Sequence, residues 1–285
     1  MAKKTKVLLI GIDSASPELV FKWLDELPNI KRLISRGVGG YLESTIPPLS
    51  APAWVSLVTG KNPGKTGVFD WITMPRRTGE KPKVVCLNSV REPKIWDMLG
   101  HNGVKSCVIN LPLSYPPSKL KGIMVSGIPG HVARRNITYP PFLKRKLDKI
   151  VGGYEVYPYT DLNIPGKEDE YAAEFERVLE KRIKAALYLM EHEQWHFFMI
   201  VFFVLDSVQH YFWKHMDKQH PKFDPKTSSQ FKNVIKNFYI KIDRGIGELI
   251  KTAGKDVNVI IVSDHGMGPL YGCFSINNLL MKRGL

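Results

Sequence analysis

Four short, strongly apolar segments constrain the fold of this 285-residue chain more than any other feature. Each is rich in β-branched or aromatic residues and lacks a clean alternation of polar and apolar positions, which is typical of strands covered on both faces. None is long enough to cross a membrane, which takes about 20 apolar residues. The four predicted strands lie near 6–13, 105–110, 197–206 and 257–264.

Helical patterns separate these predicted strands. Strands that alternate with helices predict an α/β fold in which a largely parallel central sheet lies between helical layers. Two of the patterns end at a glycine, as helices often do. The predicted helices are PNIKRLISRG ending at Gly37, PKIWDMLGHNG ending at Gly103, and two longer ones near 168–194 and 232–254.

The segment 111–166 interrupts this alternation, because it is dense in Pro, Gly and Tyr. We interpret it as an inserted lid with short elements packed over the sheet. A flexible linker between two domains is the alternative, but its aromatic residues would then have nothing to pack against. The sequence therefore predicts a single core over 1–285 with a lid at 111–166.

The formal net charge of +14 suits an anionic partner, either nucleic acid or a phosphorylated substrate. The lysines are scattered on the polar sides of helical patterns, which favours solvated helix faces over a specific nucleic-acid site. An odd count of three cysteines without close spacing predicts neither a disulfide framework nor a thiolate metal site. With no secretory signal in MAKKTKVLLIGIDS, we expect a cytoplasmic protein without a membrane span.

Three of the four predicted strands end in an aspartate, namely Asp13, Asp206 and Asp264. Ligands of open α/β sheets bind beyond the carboxyl ends of the strands, so these acids are expected to meet in one crevice. Any single one could instead cap a helix. Three such acids, each beside histidine or hydroxyl side chains, favour a functional site.

Two of these acids are paired with a histidine. His210 follows Asp206 by four residues, which places both side chains on one face of a helix. His265 follows Asp264 directly. Although a lone buried histidine is often structural, carboxylates and imidazoles without thiolates favour zinc, manganese or iron, and two clusters suggest two metals.

The stretch 47–71, PPLSAPAWVSLVTGKNPGKTGVFDW, contains Gly60 and, further along, the sequence GKT at 64–66. It therefore superficially resembles a nucleotide-binding loop. That loop needs four residues between its glycines, with a strand before it, whereas Gly60 and Gly64 are separated by three. The residues before Gly60 favour a helix that ends there, and Pro63 lacks one of the required N–H donors. We therefore reject a phosphate-binding loop.

The chain resembles the alkaline phosphatase superfamily, in its type I phosphodiesterase and nucleotide pyrophosphatase branch. Each motif alone is ordinary, but together they occur in order over most of the chain. The motifs are LLIGIDSASPE, the stretch 47–71, REPKIWDMLGHNGVKSCVINLP, FFVLDSVQH and IIVSDHGMGP.

The resemblance implies an alkaline-phosphatase-like core that holds two divalent ions, with zinc expected first and manganese or magnesium as alternatives. In the family, the acid after the first strand and an Asp–His pair bind one metal, and an acid and a histidine four residues apart belong to the other. The matching positions are Asp13, Asp264 and His265 for the first ion and Asp206 and His210 for the second.

The resemblance also implies a nucleophile that opens the helix before VTG, and Ser50 occupies that position as the residue that forms a covalent phosphoserine and binds the first metal. Lys65 and Thr66 then fall in the turn of the family's P-x-x-x-G motif. The expected activity is metal-dependent hydrolysis of a phosphodiester or nucleotide-type substrate.

Two departures from the family pattern lie just after Ser50. Relatives that cleave nucleotide esters carry an asparagine where this chain has Ala53, so the substrate is not fixed by the resemblance. The sulfatase signature has arginine where Trp54 stands, which argues against formylglycine chemistry.

A third departure concerns a further histidine that completes the second metal site in the family. The sequence has no histidine after 265, so we expect the Asp206 and His210 site to be incomplete and the C-terminal part of the core to be truncated. A catalytically weak fragment that binds one metal or an anion is therefore the alternative function, and a nucleic-acid-binding module is the third.

Overall fold

The computed structural model describes residues 5–73, 81–129, 136–158, 164 and 166–284. The strands are β1 Lys6–Ile12, β2 Ile72–Thr73, β3 Lys83–Val84, β4 Ser106–Ile109, β5 Gly122–Val125, β6 Thr138–Tyr139, β7 Phe197–Phe202 and β8 Val257–Val262. The helices are α1 Pro17–Lys22, α2 Pro28–Arg36, α3 Ser50–Thr59, α4 Pro63–Thr66, α5 Ile95–His101, α6 Leu143–Val151, α7 Glu168–His192, α8 Val204–Met216, α9 Pro225–Phe231, α10 Val234–Ala253 and α11 Ile276–Lys282.

The central sheet has six strands in the order β6-β5-β4-β7-β1-β8. All neighbours run parallel except β6, which is antiparallel to β5. The register places Ile10 of β1 opposite Ile200 of β7 and Ile261 of β8. The prediction of a largely parallel α/β sheet is confirmed, and the four predicted strands are four adjacent strands of it.

The segment 111–166 differs from the sequence-based expectation, because it contributes β5 and β6 to the central sheet. The expectation of short elements packed over the sheet is wrong for these two strands. Each has at most four residues and lies among prolines and glycines, so neither carries a long apolar run by which a strand is recognised. A lid role for the rest of the segment stays a prediction.

Apolar side chains cover both faces of the sheet. On β1, Leu8 and Ile10 pack in one core with helices α7, α8 and α10, whereas Leu9 packs in the other with α3 and α5. Every side of the inner strands is therefore buried, which explains why they show no polar alternation in the sequence.

The four predicted helices correspond to α2, α5, α7 and α10. The boundary between β7 and α8 differs from the prediction, because the strand ends at Phe202 and Asp206 lies in the first turn of α8. Val204 and Leu205 are buried in that turn, so the apolar run continues past the strand into the helix. Within the described part of the chain, we find no helix that is both long and apolar enough to span a membrane.

Candidate active site

Three acidic residues come together at the sheet edge that is formed by the carboxyl ends of the parallel strands. Because β7, β1 and β8 are parallel neighbours, the residues that follow them meet at one edge. Asp13 follows β1 directly, and Asp264 lies two residues after β8. Asp206 reaches the same place from α8, where it shares a partner, Ser14, with the other two acids.

Asp13 is fully buried, and both of its carboxylate oxygens have partners. The indole Nε1 of Trp54 donates a hydrogen bond to Oδ2 at 2.7 Å. Oδ1 lies 3.3 Å from Ser50 Oγ and 3.3 Å from Ser14 Oγ, so it is within reach of both hydroxyls. Burial raises the pKa of Asp13 well above its ordinary value, and the nearby carboxylates of Asp264 and Asp206 raise it further. A negative charge on Asp13 therefore needs a compensating positive group.

Asp264 is also buried, but only one of its oxygens is well satisfied. Oδ1 accepts a hydrogen bond from the backbone N–H of Ser14 at 3.1 Å. Oδ2 forms no hydrogen bond with any described residue, although His265 Nε2 lies 3.4 Å from it. Burial raises the pKa of Asp264 as well. Since buried polar atoms are nearly always paired, this oxygen is available to a positive ligand.

The contact of Nδ1 decides which tautomer the neutral His265 ring adopts. Nδ1 lies 2.8 Å from the carbonyl oxygen of Gly266, which can only accept, so Nδ1 carries the proton. Nε2 then presents its lone pair, and Ser50 Oγ lies 3.0 Å from it. Histidines that bind metals are commonly oriented in this way, through a backbone carbonyl on the other ring nitrogen.

These residues fit a divalent metal ion. One ligand atom each from Asp13, Asp264 and His265 lie within 4.8 Å of one another. Two carboxylates and one imidazole suit zinc or manganese, and three protein ligands leave a position open, as in catalytic sites. A cation would also compensate the two acids with raised pKa values and the unpartnered oxygen of Asp264.

Ser50 is the first residue of α3 and is buried at the centre of this group. Its Oγ contacts both Asp13 and His265, and the N-terminus of α3 adds a partial positive charge. Trp54 lies one turn further along the same helix. A Cβ on Gly11 would overlap the Trp54 ring, so the bare backbone of β1 lets the indole reach Asp13.

Asp206 and His210 form a separate pair on α8. They lie four residues apart, with His210 Nε2 3.4 Å from Asp206 Oδ1. The hydrogen bond to Asp206 raises the pKa of His210. The His210 side chain is 64% exposed, against 14% for His265. Among the described residues, the three-ligand grouping does not include this pair.

A pocket of about 460 Å³ adjoins Asp206 and His210. Three of its seven lining residues are tyrosine or phenylalanine, and one of them, Tyr157, belongs to the 111–166 segment. The Tyr157 hydroxyl donates a hydrogen bond to Ser207 Oγ at 2.8 Å. The remaining lining residues are Ile128, Phe203 and Tyr211.

The GKT stretch takes no part in this site. A helix, α3, precedes it and ends at Gly60 in the left-handed conformation. The Lys65 N–H donates to the side chain of Asn62 at 3.0 Å, and Lys65 is exposed. The prediction that this is not a phosphate-binding loop is confirmed, because the strand that such a loop follows is replaced by a helix.

Two residues that contact the acids were not predicted from the sequence. Trp54 lies four residues after Ser50, so the helical spacing places both side chains on one face of α3 and could have identified it. Ser14 adjoins Asp13, but its contacts with Asp206 and Asp264 span 192 and 250 residues. No local pattern reveals such contacts.

Solved structures share this fold at low sequence identity. Phosphonoacetate hydrolase from Sinorhizobium meliloti 1021, solved with phosphonoformate and with phosphonoacetate, superposes with a TM-score of 0.61 at 19% identity. A candidate sulfatase from Bacteroides thetaiotaomicron VPI-5482 gives a TM-score of 0.57 at 14% identity. These alignments cover 98% and 96% of this chain, which spans 62% of each solved chain. The prediction of an alkaline-phosphatase-like fold is confirmed.

The sequence itself matches a family model. No curated protein sequence matches the chain significantly. The model described as type I phosphodiesterase / nucleotide pyrophosphatase matches residues 7–285, which is nearly the whole chain. That range contains all of β1 except Lys6, together with Asp13, Asp206, Asp264 and Ser50. The chain therefore belongs to the type I phosphodiesterase / nucleotide pyrophosphatase family.

Proposed function

We propose that this chain is the core of a metal-dependent hydrolase that cleaves a phosphoester through a covalent phosphoserine at Ser50. The observation that carries the proposal is the position of Ser50 Oγ, 3.0 Å from His265 Nε2 and 3.3 Å from Asp13 Oδ1. A hydroxyl held at a helix N-terminus among potential metal ligands has the surroundings that activate a nucleophile. Family membership supports the same reaction class.

In the proposed reaction, Ser50 Oγ attacks phosphorus and the bond to the leaving ester oxygen breaks. The proton released from Ser50 passes to solvent, and a proton from solvent joins the leaving oxygen, which departs as the alcohol. Water then attacks the phosphoserine, which releases phosphate or a phosphomonoester and restores the hydroxyl. Ser50 Oγ lies 3.0 Å from His265 Nε2 and 3.3 Å from Asp13 Oδ1, so the hydroxyl is placed to join these ligands around one ion. The N-terminal end of α3 favours the negative phosphoryl group beside it.

Divalent ions are part of the proposal, with zinc first and manganese or magnesium as alternatives. Asp13, Asp264, His265 and Ser50 would hold one ion, and Asp206 and His210 would contribute to a second. Bound there, the ions would supply Lewis-acid stabilisation of the charge on the phosphoryl group. The unpartnered Oδ2 of Asp264 supports the first position.

The substrate that we propose is a small phosphodiester or nucleotide-type ester. The aromatic pocket beside Asp206 and His210 suits its organic group, because planar or apolar groups pack well on aromatic rings. A cytoplasmic location belongs to the same proposal and is supported by three free cysteines.

The second candidate function is binding of one metal or anion with little turnover. Asp13, Asp264 and His265 form a three-ligand grouping, whereas Asp206 and His210 form a pair outside it. Two protein ligands leave a metal with several exchangeable waters and a poorly fixed geometry. Zinc stoichiometry distinguishes the candidates, because a single tight ion without turnover favours this second one.

The proposed function is tested by measuring metal content and the hydrolysis of chromogenic phosphomonoester and phosphodiester substrates. We expect Ser50→Ala to lower turnover at least about 10³-fold, because the nucleophile is lost. Acid-quenched wild-type reactions should contain a peptide phosphorylated at Ser50, detected by mass spectrometry.

Two variants serve as controls. Ser56→Ala removes a buried hydroxyl of the same helix that has no partner among the described residues. Lys65→Ala removes the exposed lysine of the GKT stretch. Both should retain turnover within about tenfold, or 1.4 kcal/mol. Unchanged turnover in Ser50→Ala would show that Ser50 is not the nucleophile.

A further inference from the structure

Ser14 has an unusual backbone conformation at the centre of the site. Its φ is 59°, in the left-handed region that residues other than glycine mostly avoid, and it is fully buried. Strained positions of this kind cluster at functional sites, where the surrounding contacts maintain them. The contacts of Ser14 therefore indicate what the conformation achieves.

Ser14 touches all three acids at the sheet edge. Its Oγ lies 2.6 Å from Asp206 Oδ1, the shortest of its contacts, and 3.3 Å from Asp13 Oδ1. Its backbone N–H donates to Asp264 Oδ1 at 3.1 Å. The left-handed turn thus directs the backbone donor to one acid and the side-chain donor to another.

Further contacts attach Ser14 to both groups of potential ligands. Its carbonyl oxygen accepts a hydrogen bond from Gln209 Nε2 at 2.9 Å, and Gln209 lies buried on α8 beside His210. On the other side, Ser14 Oγ lies 3.4 Å from His265 Nδ1. One residue therefore connects the pair on α8 with the acids that follow β1 and β8.

We propose that Ser14 is a positioning residue that couples the two proposed metal positions. Its hydroxyl holds Asp206 against the group of Asp13, Asp264 and His265, so that the orientation of Asp206 depends on the state of that group. The inference rests on the proposed metal-dependent function. Residues that hold metal ligands in this way commonly change metal affinity by about 10- to 100-fold.

The test compares glycine and alanine at position 14. Ser14→Gly removes the hydroxyl but accepts a left-handed backbone, whereas Ser14→Ala removes the hydroxyl and keeps the unfavourable conformation. Zinc affinity is measured by calorimetry on the full chain, beside thermal unfolding without metal. We expect both variants to bind zinc at least about tenfold more weakly, although Ser14→Gly unfolds at no lower temperature than Ser14→Ala.

The matched control is Ser228→Ala. Ser228 is another buried serine whose hydroxyl contacts a histidine, with Oγ 3.2 Å from Nδ1 of His215 in the last turn of α8. Its loss should leave zinc affinity within about twofold. Cobalt absorption spectra add a readout of ligand geometry, and we expect a shifted spectrum for both Ser14 variants and none for the control.

A double-mutant cycle tests the route through Asp206. If Ser14 acts by holding Asp206, the effects of Ser14→Gly and Asp206→Ala on zinc affinity should be non-additive, because each removes the same contact. Additive effects of the two substitutions on zinc affinity would overturn the role of Ser14 and leave the proposed function standing. A Ser14→Gly chain with wild-type zinc affinity and cobalt spectrum would do the same. A wild-type chain that binds no divalent ion would overturn the proposed function as well.

Discussion

The two groups of potential metal ligands differ in how the fold supports them. Asp13 and Asp264 follow adjacent parallel strands and are buried, so the sheet fixes their positions. Asp206 and His210 project from a helix, and His210 is largely exposed. The strand-borne group is thus organised by the backbone, whereas the helix-borne pair depends on contacts such as the one from Ser14.

This difference predicts that the two groups bind a cation with different affinities. A preorganised and desolvated site binds a cation more tightly than a pair with one exposed member, because little ordering remains to be done. The raised pKa values of Asp13 and Asp264 show that the charged form of these buried acids is unfavourable without a cation beside them.

The largest expected effect is on metal affinity. Asp264→Asn removes a charged ligand from the buried group, and we expect zinc affinity at the tighter position to fall at least about 100-fold. His210→Gln removes an exposed ligand of the helix-borne pair and should change that affinity less than about tenfold. Calorimetric zinc titrations measure both, and equal losses would contradict the difference between the groups.

A smaller effect is expected from the hydrogen bond that orients Asp13. Trp54→Phe keeps an aromatic ring beneath β1 but removes the N–H that donates to Asp13 Oδ2. Zinc affinity should fall about tenfold, since the indole orients a ligand. Loss of the donor to a buried acceptor should also lower the free energy of unfolding by about 1–3 kcal/mol. Trp96→Phe is the matched control, because the Trp96 Nε1 is buried without a partner among the described residues.

The metal-free protein should show the buried charge in its pH dependence. A carboxyl group whose pKa is raised by folding adds stability below its unfolded value, near 3.8, and this stability is lost as pH rises through the folded pKa. Relative to Asp13→Asn, we therefore expect the wild-type unfolding free energy to decrease as pH rises across that window. Chemical denaturation in chelator at several pH values measures it, and parallel curves for the two chains would contradict it.

The smallest effect concerns His210. Its pKa is raised by Asp206, so its contribution to stability is present below the unfolded value, near 6.5, and is lost as pH rises through the folded pKa. Proton NMR of metal-free protein should show His210 titrating above 6.5, and Asp206→Asn should return it toward that value. A titration unaffected by Asp206→Asn would mean that the pair does not interact in solution.

Much of the central sheet was predictable because short stretches of sequence identify its longer strands. The apolar runs identified the four adjacent strands β4, β7, β1 and β8, of which β8 lies at the edge of the sheet, and an acid after a parallel strand pointed to the carboxyl ends of the strands, where ligands bind. Asp206 was assigned to a strand end because Val204 and Leu205 extend the apolar run into α8. That error left its place at the sheet edge correct.

The remaining parts depend on contacts that no short window contains. β5 and β6 are held in the sheet by pairing with β4 and with each other rather than by strong patterns of their own. Ser14 and Trp54 acquire their partners only when distant segments meet. Tertiary packing decides such features, so a reading of residue types and spacing does not reveal them.

Gly11 shows that the demands of the site extend into the sheet. It offers no polar atom, yet any side chain there would overlap the ring of Trp54, whose N–H holds Asp13. Exchange at position 11 is therefore coupled to the size of the residue at position 54. As related sequences diverge, these two positions are expected to covary, with glycine kept wherever a large ring occupies position 54.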